Sequence, residues 1–214
     1  GRGGGEMEKW LKRSGRYRPM IEEELVAADL PLELFYLAMI ESGLNPNAYS
    51  RAHAAGMWQF ISSRARMHGL RVDWWVDERR DPVKATRAAC AYLRELYDMF
   101  GSWELALAGY NSGEGRVARA QKRRPSCEDY WCLDLPRETE NFVPKFMAAV
   151  MIGSDPEAYG FDEWEPEAPL SQESIDIMDA TDLTFIAEAV GVSEKEIKEL
   201  SPGLRRWCTP PADG

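Results

Sequence analysis

Apolar residues along the chain recur mostly at steps of three and four, the spacing that places side chains on one face of an α-helix. Val83, Thr86, Cys90, Leu93, Tyr97 and Phe100 form one such stripe, on a helix that Asp81 can cap, with Pro82 in its first turn and Gly101 to stop it. Ser102 caps the next apolar helix, Trp103 to Tyr110, which runs into the turn Asn111-Ser112-Gly113-Glu114-Gly115. Upstream, Asp29 and Pro31 open a helix through Glu41, and Gly43 with Asn45-Pro46 ends it. The first 150 residues carry no convincing strand alternation. The pattern therefore predicts a mainly α protein whose helical main domain covers residues 1–153, with residues 1–7 flexible. From Ser154 to Ser171 the chain turns to Pro, Asp and Glu, a connector in which Phe161 and Trp164 are the large apolar residues able to dock. Beyond it, Thr181 to Val190 and Ser193 to Leu200 read as two short amphipathic helices, the second with a capping box between Ser193 and Glu196. Ser174-Ile175-Asp176-Ile177 alternates like a strand that Leu204 to Trp207 can pair with. The expectation for residues 172–214 is a small α+β appendage that leans on the main domain.

Composition narrows the function. Among 214 residues, 44 % are hydrophobic and 29 % charged, enough to bury a core. With 26 Lys and Arg against 36 Asp and Glu, the formal charge is −10, which disfavours a nucleic-acid partner. The basic run Gln121-Lys122-Arg123-Arg124 reads as a solvated helix end. The longest apolar run, Leu34 to Ile40, is far short of the roughly 20 residues that span a bilayer, so no transmembrane segment is expected. Gly1 to Gly5 lacks the charged and apolar regions of a signal peptide. Cys90, Cys127, Cys132, Cys208, His53 and His68 are not spaced like a metal site, and no metal is expected. Cys127 and Cys132 fit a small disulfide and two unrelated thiols equally well; Cys90 reads as a buried small hydrophobe unless folding brings Cys208 beside it.

Glu41 is the residue most suggestive of chemistry. It ends a helix whose preceding residues are apolar on every face, so its carboxyl is partly desolvated and meets the negative end of the helix dipole; both effects favour the protonated form. A glutamate tuned in this way, to roughly 6–7, can give and take a proton near neutrality. By position alone, a solvated glutamate at a frayed helix end fits as well. Downstream, Gln59 is an amide among apolar residues in Gly56-Met57-Trp58-Gln59-Phe60, and Gly56 lets a backbone approach closely. Tyr110 and Asn111 place a phenol and an amide at a helix end, where packing and turn roles are the ordinary explanation.

Taken in order, these fragments resemble the lysozyme-like catalytic domain of soluble-type lytic transglycosylases, over about Glu8 to Met151. The family's Glu-Ser motif corresponds to Glu41-Ser42, followed by Asn45-Pro46 and Ser50. Its Gly-Leu-Met/Trp-Gln motif corresponds to Gly56-Met57-Trp58-Gln59, and its Ala-Tyr-Asn-Ala-Gly motif to Gly109-Tyr110-Asn111-Ser112-Gly113. Its Glu-Thr-x-x-Tyr-Val motif corresponds to Glu138-Thr139-Glu140-Asn141-Phe142-Val143. The stretch from Val72 to Pro82 is similar to the membrane-bound lytic transglycosylase D subgroup, and the tail from Ile175 to Pro210 to the small LysM-like piece of that subgroup. Phe142 departs from the pattern by lacking the tyrosine hydroxyl that approaches the catalytic carboxyl.

The resemblance implies a peptidoglycan-cleaving enzyme without a cofactor. Glu41 would protonate the oxygen between N-acetylmuramic acid and N-acetylglucosamine, then deprotonate the C6 hydroxyl that closes a 1,6-anhydro ring. Ser50, Gln59, Tyr110 and Asn111 would orient sugar and acetamide groups, Glu138 would support the site and Ser42 would bind or hold the helix end. Trp58, Trp74 and Trp75 are candidate stacking faces, with the turn around Trp75 as a groove wall, whereas Trp103 reads as core. Asp73, Asp77 and Glu114 read as caps or solvated charges, while Arg51, Arg64, Arg79 and Arg80 are candidates to make the cleft less acidic than the chain. Alternatives are a goose-type lysozyme, in which water attacks instead, and a non-catalytic peptidoglycan-binding module; a helical repeat finds no recurring period. The implied substrate places the protein in the periplasm or at the outer membrane of a bacterium.

Overall fold

Leu34 to Ile40 has no polar face and must be enclosed on all sides, which dictates how the other helices gather. The computed structural model describes residues 2–127 and 129–212. Helix α1 (Arg2–Ala27) presents Met7, Leu11, Ser14, Ile21 and Leu25 on one buried stripe. Residues 2–7 form the first turns of this helix, and Met7, only 7 % exposed, packs against the core. Asp29 (φ 52°) lies in the left-handed turn after α1 and does not cap the next helix, which begins as a short turn at Leu32–Leu34 before α2 (Phe35–Ser42). Every residue from Leu34 to Ile40 is at most 5 % exposed, and Gly43 (φ 64°) terminates α2 as expected.

The remaining helices are α3 (Ser62–Met67), α4 (Pro82–Phe100), α5 (Trp103–Ser112), α6 (Glu114–Arg123), α7 (Arg137–Ser154), α8 (Leu183–Val190) and α9 (Glu194–Leu200). Asp81 caps α4 by accepting from Val83 and Lys84 N–H, and Ser102 caps α5 through Leu105 N–H. α2 packs between α1 and α7, while α5 packs against α4, α6 and α7. Cys127 and Cys132 form a disulfide with Cα atoms 5.7 Å apart, whereas Cys90 and Cys208 are buried free thiols. Among the described residues, no helix is long and apolar enough to cross a membrane.

The C-terminal part departs from the expected α+β layout. The described residues form isolated bridges but no strands. Ile175 and Ile177 are exposed, with no neighbouring edge to pair with, and Leu204 instead bridges Val76 of the main domain. Arg205 N–H donates to the Trp75 carbonyl and Asp77 N–H to the Gly203 carbonyl, so this segment is fastened to the loop before α4. The two helices and the capping box at Ser193 are present as expected. Between them and the main domain, Phe161, Trp164 and Leu170 pack on the core, and Glu167 and Leu170 N–H donate to carbonyls of Lys12 and Arg16 in α1.

Asp77 is not a solvated charge. It is 4 % exposed and holds Arg79 through two bonds of 2.8 and 2.9 Å, while Arg79 also donates to the carbonyls of His53 and Phe60. Asp77→Asn leaves the Arg79 charge buried without its counterion and is expected to cost about 3–5 kcal/mol. Urea denaturation checks this, and a loss below about 1 kcal/mol, the ceiling of an exposed pair, would contradict it.

Candidate functional site

A cleft of about 960 Å³ runs across the main domain, with Glu41 in its lining. The carboxyl sits at the C-terminal turn of α2, held by two local ties. Ser42 Oγ donates to the Met57 carbonyl (2.8 Å) and accepts from Asn45 N–H (3.1 Å), fixing the helix end to the segments that follow it. Lys145 of α7 donates through Nζ to the Ile40 carbonyl (2.9 Å), placing a cation at the negative end of the α2 dipole.

α7 supplies one wall through a single face. Glu138, Asn141, Phe142 and Lys145 recur at i, i+3, i+4 and i+7, and all line the cleft. Ser50 and Gln59 from the loop between α2 and α3, and Tyr110 and Asn111 from the end of α5, also line the cleft. Gln59 has a positive φ of 50°, and its amide donates to the Gly56 carbonyl. Gly56 itself has φ 83°, and a Cβ there would lie 1.6 Å from the Arg79 carbonyl oxygen, so only glycine lets this loop close onto Arg79. Ser50 Oγ accepts from Ala54 N–H, Tyr110 donates to the Trp58 carbonyl (2.7 Å), and Asn111 Oδ1 accepts from Thr139 Oγ1 (2.9 Å).

Burial raises the Glu41 carboxyl to about 7, opposed by the positive charge of Lys145 and reinforced by the negative charge of Glu138. At neutral pH the group is divided between acid and carboxylate. Burial and the Glu41 charge push the Tyr110 phenol well above its usual value, so it stays a neutral donor. Glu114 behaves differently: although burial works against its ionised form, Arg64 donates to both of its oxygens at 2.6 Å and holds it below the usual range. It also accepts from Tyr92 OH at 3.1 Å, so it is an engaged carboxylate rather than a solvated turn charge.

Of the residues singled out from sequence, Glu41, Ser50, Gln59, Tyr110, Asn111 and Glu138 converge on this cleft. Ser42 stands behind it, its hydroxyl spent on backbone. Trp58 is fully buried, with Nε1 donating to Thr86 Oγ1, and offers no stacking face. Trp74 is exposed under the Arg206 guanidinium, and its turn lines a neighbouring hollow instead of the cleft. Arg51 and Arg64 line the cleft, but Arg79 is consumed by Asp77 and Arg80 faces the hollow. Lys145 and Asn141 were missed; their signal was the i+3 and i+7 spacing from Glu138. Cys127, Asp129 and Cys132 also converge, but the disulfide removes both thiolates as metal ligands.

The family profile described as the transglycosylase SLT domain matches residues 18–131, over half of the chain. The chain is 35 % identical over 202 residues to membrane-bound lytic murein transglycosylase D of Escherichia coli K12, covering 90 % of this chain and 44 % of that protein. It thus spans less than half the length of that relative. It is also 38 % identical over 109 residues to peptidoglycan transglycosylase gp16 of Escherichia phage T7, covering 50 % of this chain and 8 % of that protein. Among solved structures, the 70 kDa soluble lytic transglycosylase of Escherichia coli superposes with a TM-score of 0.54 at 21 % identity, over 67 % of this chain and 24 % of that one, a likeness of fold. Together with the helical cleft, the extent of the profile match establishes that the chain belongs to the transglycosylase SLT domain family.

Proposed function

We propose that the protein is a peptidoglycan lytic transglycosylase of the bacterial envelope, acting in the periplasm or at the outer membrane. The observation that carries this is a carboxyl in the lining of an open cleft, at the end of an enclosed helix and raised to about 7. In its protonated form Glu41 donates to the glycosidic oxygen between N-acetylmuramic acid and N-acetylglucosamine, and the bond to C1 breaks with help from the muramoyl acetamide. The resulting carboxylate takes the proton of the C6 hydroxyl, whose oxygen bonds to C1 and closes the 1,6-anhydro ring. One group serves as acid and then base, and no water is consumed. Ser50, Gln59, Tyr110 and Asn111 orient the sugars, and Glu138 and Lys145 set the proton affinity of Glu41 from opposite directions. Residues 1–153 are the catalytic unit, 154–171 a connector packed on it, and 172–214 a LysM-like piece of which the helical pair Leu183–Val190 and Glu194–Leu200 is the support.

A second reading, hydrolysis, draws on Glu138, the second carboxylate among the described residues that line the cleft, as a base for water. Mass spectrometry of the fragments released from purified peptidoglycan separates the two. Anhydromuropeptides, one water lighter than reducing ends, are expected from the native protein. Glu41→Gln is expected to lower their release by roughly 10²–10⁴-fold. Reducing ends alone would establish hydrolysis, and binding without release from either protein would leave only a binding module.

The pH profile tests the electrostatics. Lys145 favours the Glu41 carboxylate, so Lys145→Met moves the alkaline limb of activity to higher pH, whereas Glu138→Gln moves it to lower pH. Shifts of the same sign would refute the assignment. Stability carries the same signature. Because the folded value, about 7, lies above the ordinary 4.5, the native state holds a proton that the unfolded chain releases between these values. Stability therefore falls as pH rises from 4.5 through 7, by up to about 3 kcal/mol. Urea denaturation at pH 5 and pH 8 is expected to show this loss in the native protein and not in Glu41→Gln.

A further inference from the structure

A second hollow, about 470 Å³ in volume, opens beside the cleft where the C-terminal segment is fastened. The two share a wall: Tyr49 and Ser62 line the hollow, while their chain neighbours Ser50 and Ile61 line the cleft. Arg66, Arg79, Arg80 and Arg205 face the hollow, against the carboxylates of Asp73 and Asp77. Both carboxylates are already engaged. Asp77 is held by Arg79, and Asp73 accepts from Trp75 and Val76 N–H and pairs with Arg71.

That leaves Arg66, Arg80 and Arg205 in excess. Arg80 approaches Asp77 only to 3.7 Å and otherwise donates to the Asn47 carbonyl. Arg66 donates to the Val72 carbonyl and Arg205 to the Asp73 carbonyl, and among the described residues neither forms an ion pair. A guanidinium carries five N–H donors, so each is oriented by one backbone carbonyl and keeps donors for a ligand. In a chain of net charge −10, such a positive excess confined to one hollow favours anions at that place.

We propose that the hollow is a subsite for carboxylates of the peptide stems of peptidoglycan, a proposal that rests on reading the adjoining cleft as the glycan site. A glycan strand in the cleft carries its stems as side branches, and a branch crossing the wall between Tyr49 and Ser62 enters the hollow. The planar guanidinium fork matches a carboxylate through two parallel bonds, which selects it over the uncharged hydroxyls and acetamides of the sugars. Arg205 belongs to the C-terminal segment, so fastening that segment to the loop before α4 completes the subsite.

Calorimetric binding to the full chain carrying Glu41→Gln, which keeps the strands intact, provides the test. The probes are glycan strands bearing tetrapeptide stems and the same strands stripped of peptide by an amidase, with the lactyl carboxylate that this exposes capped as an amide so that the control is uncharged. Stem-bearing strands are expected to bind at least about tenfold more tightly, the scale of one charge-assisted contact pair. Adding Arg66→Gln and Arg205→Gln should abolish that advantage while leaving the affinity for stripped strands unchanged, and Arg66→Lys with Arg205→Lys should keep part of it. Thermal melting confirms that the variants fold. Equal affinity for the two probes, or an advantage that survives the double substitution, would overturn the proposal. Because the readout is binding, a native protein that cleaves nothing yet shows the arginine-dependent advantage would fail the transglycosylase reading and leave this one standing.

Discussion

A helix without a polar face survives in water only if other elements cover it from every side. For α2 that cover comes from α1 and α7, and from Leu44, Met57 and Trp58 in the loops that follow. Glu41 is the first residue past the enclosure that can reach open space, so its carboxyl emerges into the cleft with little water around it. Removal of solvent raises the acid, and the C-terminal dipole of α2 acts in the same direction. The packing that stabilises the helix and the raised proton affinity of Glu41 are one physical fact.

The opposite rim hangs on a charge. Arg79 is 5 % exposed, yet its guanidinium is satisfied by Asp77 and by the carbonyls of His53 and Phe60. Those carbonyls belong to the loop that carries Ser50 and Gln59, and Gly56 packs against the Arg79 backbone. Asp77 also donates its N–H to Gly203 of the C-terminal segment. One buried ion pair thereby links the cleft rim to the docking of the appendage, over distances in sequence that no local pattern registers.

This explains what was legible in the chain and what was not. Helix periodicity, the caps at Asp81 and Ser102 and the left-handed stop at Gly43 are local, and they were readable because the responsible groups lie within a turn of one another. The position of Glu41 was readable for the same reason. The strand expected at Ser174 to Ile177 failed because alternation specifies a strand only where an edge is available, and Leu204 had already found Val76. Asp77 looked solvated because its burial depends on the distant carbonyls of His53 and Phe60 that enclose its near neighbour Arg79, and Glu114 because its partner Arg64 lies fifty residues upstream. Trp58 looked like a sugar platform until burial gave its indole N–H to Thr86.

Phe142 and Lys145, adjacent on one face of α7, bear on how the proton affinity of Glu41 is set. Phe142 is 7 % exposed and gives the cleft an apolar ring where the family pattern has a hydroxyl, so it adds no donor to stabilise a Glu41 carboxylate. Lys145 provides that stabilisation at longer range, from a position fixed by the Ile40 carbonyl. A hydroxyl bonded to the carboxylate would favour the ionised form through a short, directional contact. A cation acting through space favours it without occupying either carboxyl oxygen. The balance between burial and Lys145, rather than a hydrogen bond, sets the proton affinity of Glu41 near neutral pH.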